Sequence, residues 1–301
     1  MTMTNTSERV DALMQLSDRL YPVIDQQVGD ENLARRTVRL GITASALALK
    51  EQSSQDQAGD VFHSVMLDQL SLGGLSPTDT AYRHWPDYRQ STQTLSKPSY
   101  SSQSTGLEGL ANDYSDVLRA TKNAAFEHET DASHVIHLAS LALPYASQYH
   151  PELSQGKIAL YCLIHDILEG YVGDVATLGI SEEGLKTKQD NETKALTQLE
   201  SEHAERWPEF VSSVHDYENL VNKEAKYVKT FDKLDPSFTH FSNKGIQLLE
   251  YHNYTLPEAF MADADAVKVR MGHYALAFPD IMQDRQTLLD RIVANVRWPK
   301  L

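Results

Sequence analysis

Apolar residues recur at helical spacing from near the start of the chain. Val10, Leu13, Leu16 and Leu20 form one stripe, and Ala34, Val38, Ile42, Ala46 and Leu49 form another, which predicts helices within 7–50. Residues 51–60 are polar and read as a loop, and 61–70 read as a short helix ended by Gly73 and Gly74. Residues 86–106 are rich in Ser, Thr and Gln without an apolar period, the pattern of a linker or mobile loop. Beyond it the spacing predicts a helix over 111–121. Another covers 133–149, with Ser133 as a cap and Pro144 as a kink or break. A third runs from the Ser154 cap to Glu169 and stops at Gly170. Further helices are expected at 182–205, 208–216, 219–235 and 241–251, with more beyond 256, and only short stretches such as Tyr171–Val175 look β-like. The expected class is all-α. A helical region at 1–85 and a polar loop at 86–110 precede a core at 111–255, on which C-terminal helices at 256–301 pack.

Composition narrows the function. The 301 residues carry 27 Lys and Arg against 42 Asp and Glu, a net charge of −15. That balance argues against coating duplex nucleic acid or an anionic membrane, although a few basic groups or a metal can still reverse the potential inside one cleft. The single cysteine, Cys162, excludes an internal disulfide framework and a cysteine-based zinc site. The opening MTMTNTSERV lacks signal-peptide character, and no apolar run approaches the roughly 18 residues of a membrane span. The expectation is a soluble, cytoplasmic protein with no membrane partner and no stable nucleic-acid partner.

Polar groups on apolar faces carry the chemical signal. The segment Ile158–Ile164 is apolar nearly all round, yet it runs straight into His165, Asp166 and Glu169. Asp232 closes the stripe Val221, Ala225, Val228, and His134 shares a stripe with Leu138 and Leu141. A buried carboxylate costs several kcal/mol unless it is paired or binds a metal. Two imidazoles and two carboxylates from three helices suit a divalent transition metal (Mn, Co, Zn, Fe or Ni) better than Ca or Mg. Each residue also has a plain reading: a hydrogen-bonded core histidine for His134, a salt-bridge partner of Lys229 or Lys233 for Asp232. A second His-Asp pair, His215-Asp216, sits in a polar context and reads as a solvated surface pair.

The ordered set resembles the HD-domain metal-dependent phosphohydrolases, and within them the HD-domain 5′-deoxynucleotidases. The blocks that carry the resemblance are ASHVIHLA (132–139), LIHDILEGYVGDVAT (163–177), NETKALTQL (191–199) and YVKTFDKLD (227–235). The resemblance implies His134, His165, Asp166 and Asp232 as metal ligands. It implies Glu169 as the acid that orients or activates the attacking water, and Asp174 as a second acidic group near the scissile phosphate. It also implies Arg119 as a phosphate-facing arginine. Lys122, three residues on, joins Arg119 on one helical face or is a solvated lysine. His137 lines the pocket or supports the metal site from behind. Lys186 and Lys188 reach a phosphate or face solvent. Tyr82, Trp85, Tyr88 and Tyr100 stack on a base or simply pack.

Three departures from the family pattern fall around the substrate: Ser133 and Val135 beside the first histidine, Ala120 after the arginine, and Val175–Leu178 after the Gly-Asp pair. The implied activity is phosphate release from a deoxynucleoside 5′-monophosphate by a homodimer or higher homo-oligomer. The alternatives are a dNTP triphosphohydrolase and, from another class, a non-catalytic helical scaffold.

Overall fold

The computed structural model describes residues 5–98, 100, 104–123 and 125–299. The chain begins with α1 (Thr6–Ile24), a two-residue-strand hairpin β1 (Gln27–Val28) and β2 (Glu31–Asn32), α2 (Leu33–Lys50) and α3 (Gln55–Leu72). Next come α4 (Pro86–Ser91), α5 (Glu108–Asp116) and a second small antiparallel pair, β3 (Leu118–Lys122) with β4 (His128–Thr130). The central helices are α6 (Asp131–Tyr149), α7 (Gln155–Ile164), α8 (Glu169–Val172), α9 (Glu182–His203), α10 (Pro208–Glu218) and α11 (Lys223–Asp232). α12 (Pro236–Ser242), α13 (Ile246–Glu250), α14 (Pro257–Ala275) and α15 (Pro279–Asn295) complete the chain. The class is all-α, as expected.

One continuous core runs from Val10 on α1 to Val296 beyond α15, so the terminal helices share it with the central ones. α3 and α7 cross so closely that a side chain at Gly59 would collide with the Gly156 carbonyl, and one at Gly156 with the backbone of Asp56. Only glycines permit that approach. α1 is tied to α15 by the buried Arg9–Asp284 pair at 2.7 Å.

Several local expectations fail for identifiable reasons. The polar stretch 51–60 is helical from Gln55, because Ser54 and Gln57 form a reciprocal capping box. The proposed loop at 86–110 opens with α4, where Pro86 takes the first helical turn, and continues through a short 3₁₀ turn at Thr92–Thr94. Residues 99 and 101–103 of that loop lie outside the described residues. The helix expected over 111–121 ends at Asp116, and 118–122 is a strand. Thr130, not Ser133, caps α6 by accepting from the Ser133 amide, and α6 continues through Pro144. The helix from Ser154 ends at Ile164. Tight turns bonded at i→i+3 lead from it into the helical 169–172, and Gly173 (φ +77°), not Gly170, takes the left-handed position. The stretch 241–251 divides between α12 and α13.

Candidate metal centre

α6, α7 and α11 bring four expected residues together. His134 projects from the first turn of α6, His165 and Asp166 follow the last residue of α7, and Asp232 ends α11. His134 Nε2 lies 3.1 Å from both His165 Nε2 and Asp232 Oδ1, and His165 Nε2 lies 3.0 Å from Asp166 Oδ2. One ligand atom from each residue falls within 4.8 Å of all the others. Adjacent residues on an α-helix diverge by about 100°. The tight turns after Ile164 let His165 and Asp166 reach the same point instead.

The donor set fits a divalent metal. The Nδ1 proton of His134 is donated to Asp235 Oδ2 (3.0 Å), and that of His165 to the Cys162 carbonyl (2.9 Å). Both Nε2 lone pairs are thereby turned toward each other and toward two carboxylates, an arrangement that a shared cation satisfies. Burial works against a protonated His134, but hydrogen bonds to Asp232 and Asp235 outweigh it and lift its pKa to about 10. A proton and a metal thus compete for the same nitrogen. Burial also opposes ionisation of Asp166 and Asp232. His165 and Arg119 nevertheless hold Asp166 well below the usual carboxylate range, and Lys233 and His134 do the same for Asp232. The second oxygen of Asp232 accepts from Lys233 Nζ at 2.6 Å, so the ion-pair reading of Asp232 and the cluster reading both hold.

Two members of the cluster, Asp166 and Asp232, line a cavity that Arg119, Glu169, Asp174 and Lys188 also line, while His134 and His165 are buried beneath them. Arg119 Nη1 donates to Asp131 and Asp166, both at 2.9 Å. Glu169 Oε1 accepts from Lys188 Nζ at 3.0 Å, while its Oε2 is buried without a hydrogen bond. Burial raises the Glu169 pKa well above normal, and the carboxylates of Asp166 and Asp131 raise it further. Asp174 Oδ2 accepts from the Ala120 amide at 3.2 Å, just past the left-handed Gly173. Lys188 therefore faces the cavity rather than solvent.

Two expected residues are elsewhere. Lys122 does not line the cavity. On a strand, residues three apart point to opposite faces, and its ammonium instead lies 3.6 Å from Glu250. His137 is fully buried behind the cluster, where its Nδ1 donates to Asp235 Oδ1 (2.8 Å) and its Nε2 bonds Ser17 Oγ (2.8 Å). It does not line the cavity beside the cluster, so the pocket-lining reading is corrected to support from behind. Tyr82, Trp85 and Tyr88 are core residues, and Tyr100 bonds to Asp68 and Gln69. His215 pairs with Glu200, and Asp216 accepts from Gln55, both apart from the cluster.

Sequence reasoning assigned nothing to Asp131, Asp235, His240 or Arg285. Asp235 had a signal: it follows Asp232 by three residues, the spacing of one helical face.

A bundle core built around a His, His-Asp, Asp constellation defines the class. The family model described as HD domain matches residues 112–274, more than half of the chain, and the protein belongs to the HD-domain family. The crystal structure of a predicted metal-dependent phosphohydrolase from Magnetospirillum magnetotacticum MS-1 is similar in fold. It shares 23% identity over 64% of this chain and 92% of that one, with a TM-score of 0.51. No curated protein matches the chain. None of the described helices is long and apolar enough to cross a membrane.

Proposed function

We propose that the protein is a metal-dependent phosphohydrolase of nucleotides that releases phosphate from deoxynucleoside 5′-monophosphates. One observation carries this reading: two imidazole nitrogens and two carboxylates converge, and the two carboxylates line a cavity that also holds an arginine and a lysine. The similarity to a predicted metal-dependent phosphohydrolase agrees with it. His134, His165, Asp166 and Asp232 would hold Mn, Co, Zn, Fe or Ni. Such a cation acidifies water and polarises phosphoryl oxygens.

The chain's own groups do the rest. Glu169, with its raised pKa and one uncommitted oxygen, accepts the proton of the attacking water. Arg119 and Lys188 face charge growing on the phosphoryl oxygens. Asp174, held by the Ala120 amide at the cavity edge, hands a proton to the leaving ribose oxygen.

The cavity charges favour a monoester. Its lining has five carboxylates (Asp166, Glu169, Asp174, Glu192, Asp232) and five cations (Arg119, Lys188, Lys229, Lys233, Arg285). A divalent metal then leaves an excess close to the roughly −1.5 to −2 charge of a phosphomonoester. A triphosphate carries more charge than this lining compensates.

The test is product identification with Mn²⁺ or Co²⁺ and a nucleotide panel. Inorganic phosphate from deoxynucleoside monophosphates is expected, with turnover and tight metal binding both lost in Asp232→Asn. Tripolyphosphate from dNTPs would replace the proposal with a triphosphohydrolase. A protein that binds no metal and hydrolyses no nucleotide would be a helical scaffold.

A further inference from the structure

The cavity has a second pole. Beyond the residues already described, its walls come from α12, α14 and α15, with Phe260, Val267 and Leu289 as apolar surface and His240 and Arg285 as polar groups. Both side chains are buried, and each has hydrogen-bonding capacity that the described residues do not use. Arg285 is 5% exposed and forms no salt bridge among the described residues. Its sequence neighbour shows the contrast, since Asp284 is gripped through both oxygens by Arg9. Arg285 donates only to two backbone carbonyls, Lys233 at 3.1 Å and Ala264 at 3.3 Å. A guanidinium carries more donors than these bonds use, and its plane is fixed by them. His240 Nδ1 is likewise buried without a partner. Burial pulls the Arg285 pKa down to about 10, and for His240 burial, with His252 nearby, brings it to about 3, so His240 is a neutral imidazole.

The surroundings decide what these atoms want. The Lys233 carbonyl stands at the C-terminal end of α11, where aligned peptide dipoles place about half a negative charge. Arg285 is thus partly compensated and lacks acceptors rather than a full counter-ion. A second phosphate at this pole would be stranded against Phe260, Val267 and Leu289. A flat, uncharged ring with acceptors on its edge suits both the apolar walls and the free donors.

We propose that this pole is the nucleobase subsite, and that Arg285, with His240, selects a base presenting adjacent oxygen and ring-nitrogen acceptors, guanine foremost. Guanine offers O6 and N7 to a guanidinium, whereas adenine places an amino donor beside N7. The assignment rests on the nucleotide reading above. Arg285 lies beyond residues 112–274, so specificity comes from a helix outside the matched HD segment.

The experiment pairs calorimetric binding of deoxyguanosine and deoxyadenosine with kcat/KM for dGMP, dAMP and glycerol phosphate. Wild type should favour guanine by about tenfold or more in both measurements. Arg285→Met should lose about 10- to 100-fold on guanine, the worth of one hydrogen bond to a charged group. Its loss on dAMP and glycerol phosphate, which lack the paired acceptors, should be at least about tenfold smaller than on dGMP. Should that variant fold poorly, Arg285→Lys keeps a cation near the Lys233 carbonyl but loses the planar donor pair, and the same selective loss is expected. An equal loss on all three substrates, or a preference for adenine, overturns the proposal. Equal loss would mean that Arg285 acts only through Lys233 on the adjacent Asp232. Guanine binding that depends on Arg285 in a protein without phosphatase activity would support the subsite while ending the monophosphatase reading.

Discussion

The two sides of His134 are built to opposite rules. Behind it the side chains of Asp235, His137, Ser17 and Tyr21 all find partners. Asp235 accepts from His134 and His137 with one oxygen each, His137 meets Ser17, and Tyr21 stacks on His137 with ring centres 4.5 Å apart. In front, atoms equally removed from water stay unanswered: Glu169 Oε2, Arg119 Nε, Asp131 Oδ2 and His240 Nδ1. An unmet buried polar atom costs about 1–3 kcal/mol, and those gathered beside the cluster are atoms that a ligand would satisfy. The rear is structure, and the front carries the groups that the proposed function uses. α1, outside the matched HD segment, supplies Ser17 and Tyr21 to the rear, so residues before 112 help to shape the centre.

The sharpest way to break this contrast is Glu169→Gln. The amide keeps the shape and cannot accept the proton, so kcat should fall about 10²- to 10⁴-fold. The folded protein and its metal content, read by thermal melting and elemental analysis, should remain as in wild type. A variant that kept its turnover would remove Glu169 from the chemistry.

The ligand side was largely legible in the sequence because chemistry there contradicts burial. A His-Asp pair after Ile158–Ile164 is conspicuous, and so is an aspartate ending a helical stripe. The rear was not legible, since His137 and Ser17 look ordinary in a helix and acquire meaning only when α1 and α6 meet. Arg119 lines the cavity, but on a different local structure from the one expected. The sequence suggested a helix over 111–121, whereas pairing with His128–Thr130 makes 118–122 a strand. Tertiary pairing decided that segment, and short stretches yield to such pairing easily. Arg285 gave no local signal at all, because its setting depends on the backbone carbonyls of Lys233 and Ala264, which meet it only in the fold.

Asp235→Asn tests the rear. The amide can accept from only one of the two imidazoles, and the other is left facing an N–H group. Metal affinity should drop about 10- to 100-fold, as it does when partners behind a metal ligand are lost. The metal-free protein should also melt lower, because a fully buried network loses a charged member. Unchanged affinity with a lowered melting point would make Asp235 a stability residue only.

His240 offers a smaller effect with a definite sign. Its folded pKa of about 3 lies below the ordinary histidine value of 6.5. Its neutral form therefore contributes stability fully above pH about 6.5, and that contribution fades as pH falls toward 3. At pH 5 the loss is about 2 kcal/mol. Denaturant titrations at pH 7 and pH 5 should show that much less pH dependence in His240→Phe than in wild type. Parallel profiles would mean that His240 is hydrated in the folded protein.

The smallest predicted effect separates strand from helix at the phosphate side. Were 118–122 helical, Lys122 would stand beside Arg119 and its removal would weaken substrate binding. In the strand it faces Glu250 across 3.6 Å, with that carboxylate more than half exposed. Such pairs contribute about 0–1 kcal/mol. Lys122→Ala should leave kcat/KM within about twofold of wild type, while Arg119→Ala lowers it by orders of magnitude. Equal losses in the two variants would mean that the β3–β4 pair does not persist in solution, and with it would go the geometry that sets Arg119 against Asp131 and Asp166.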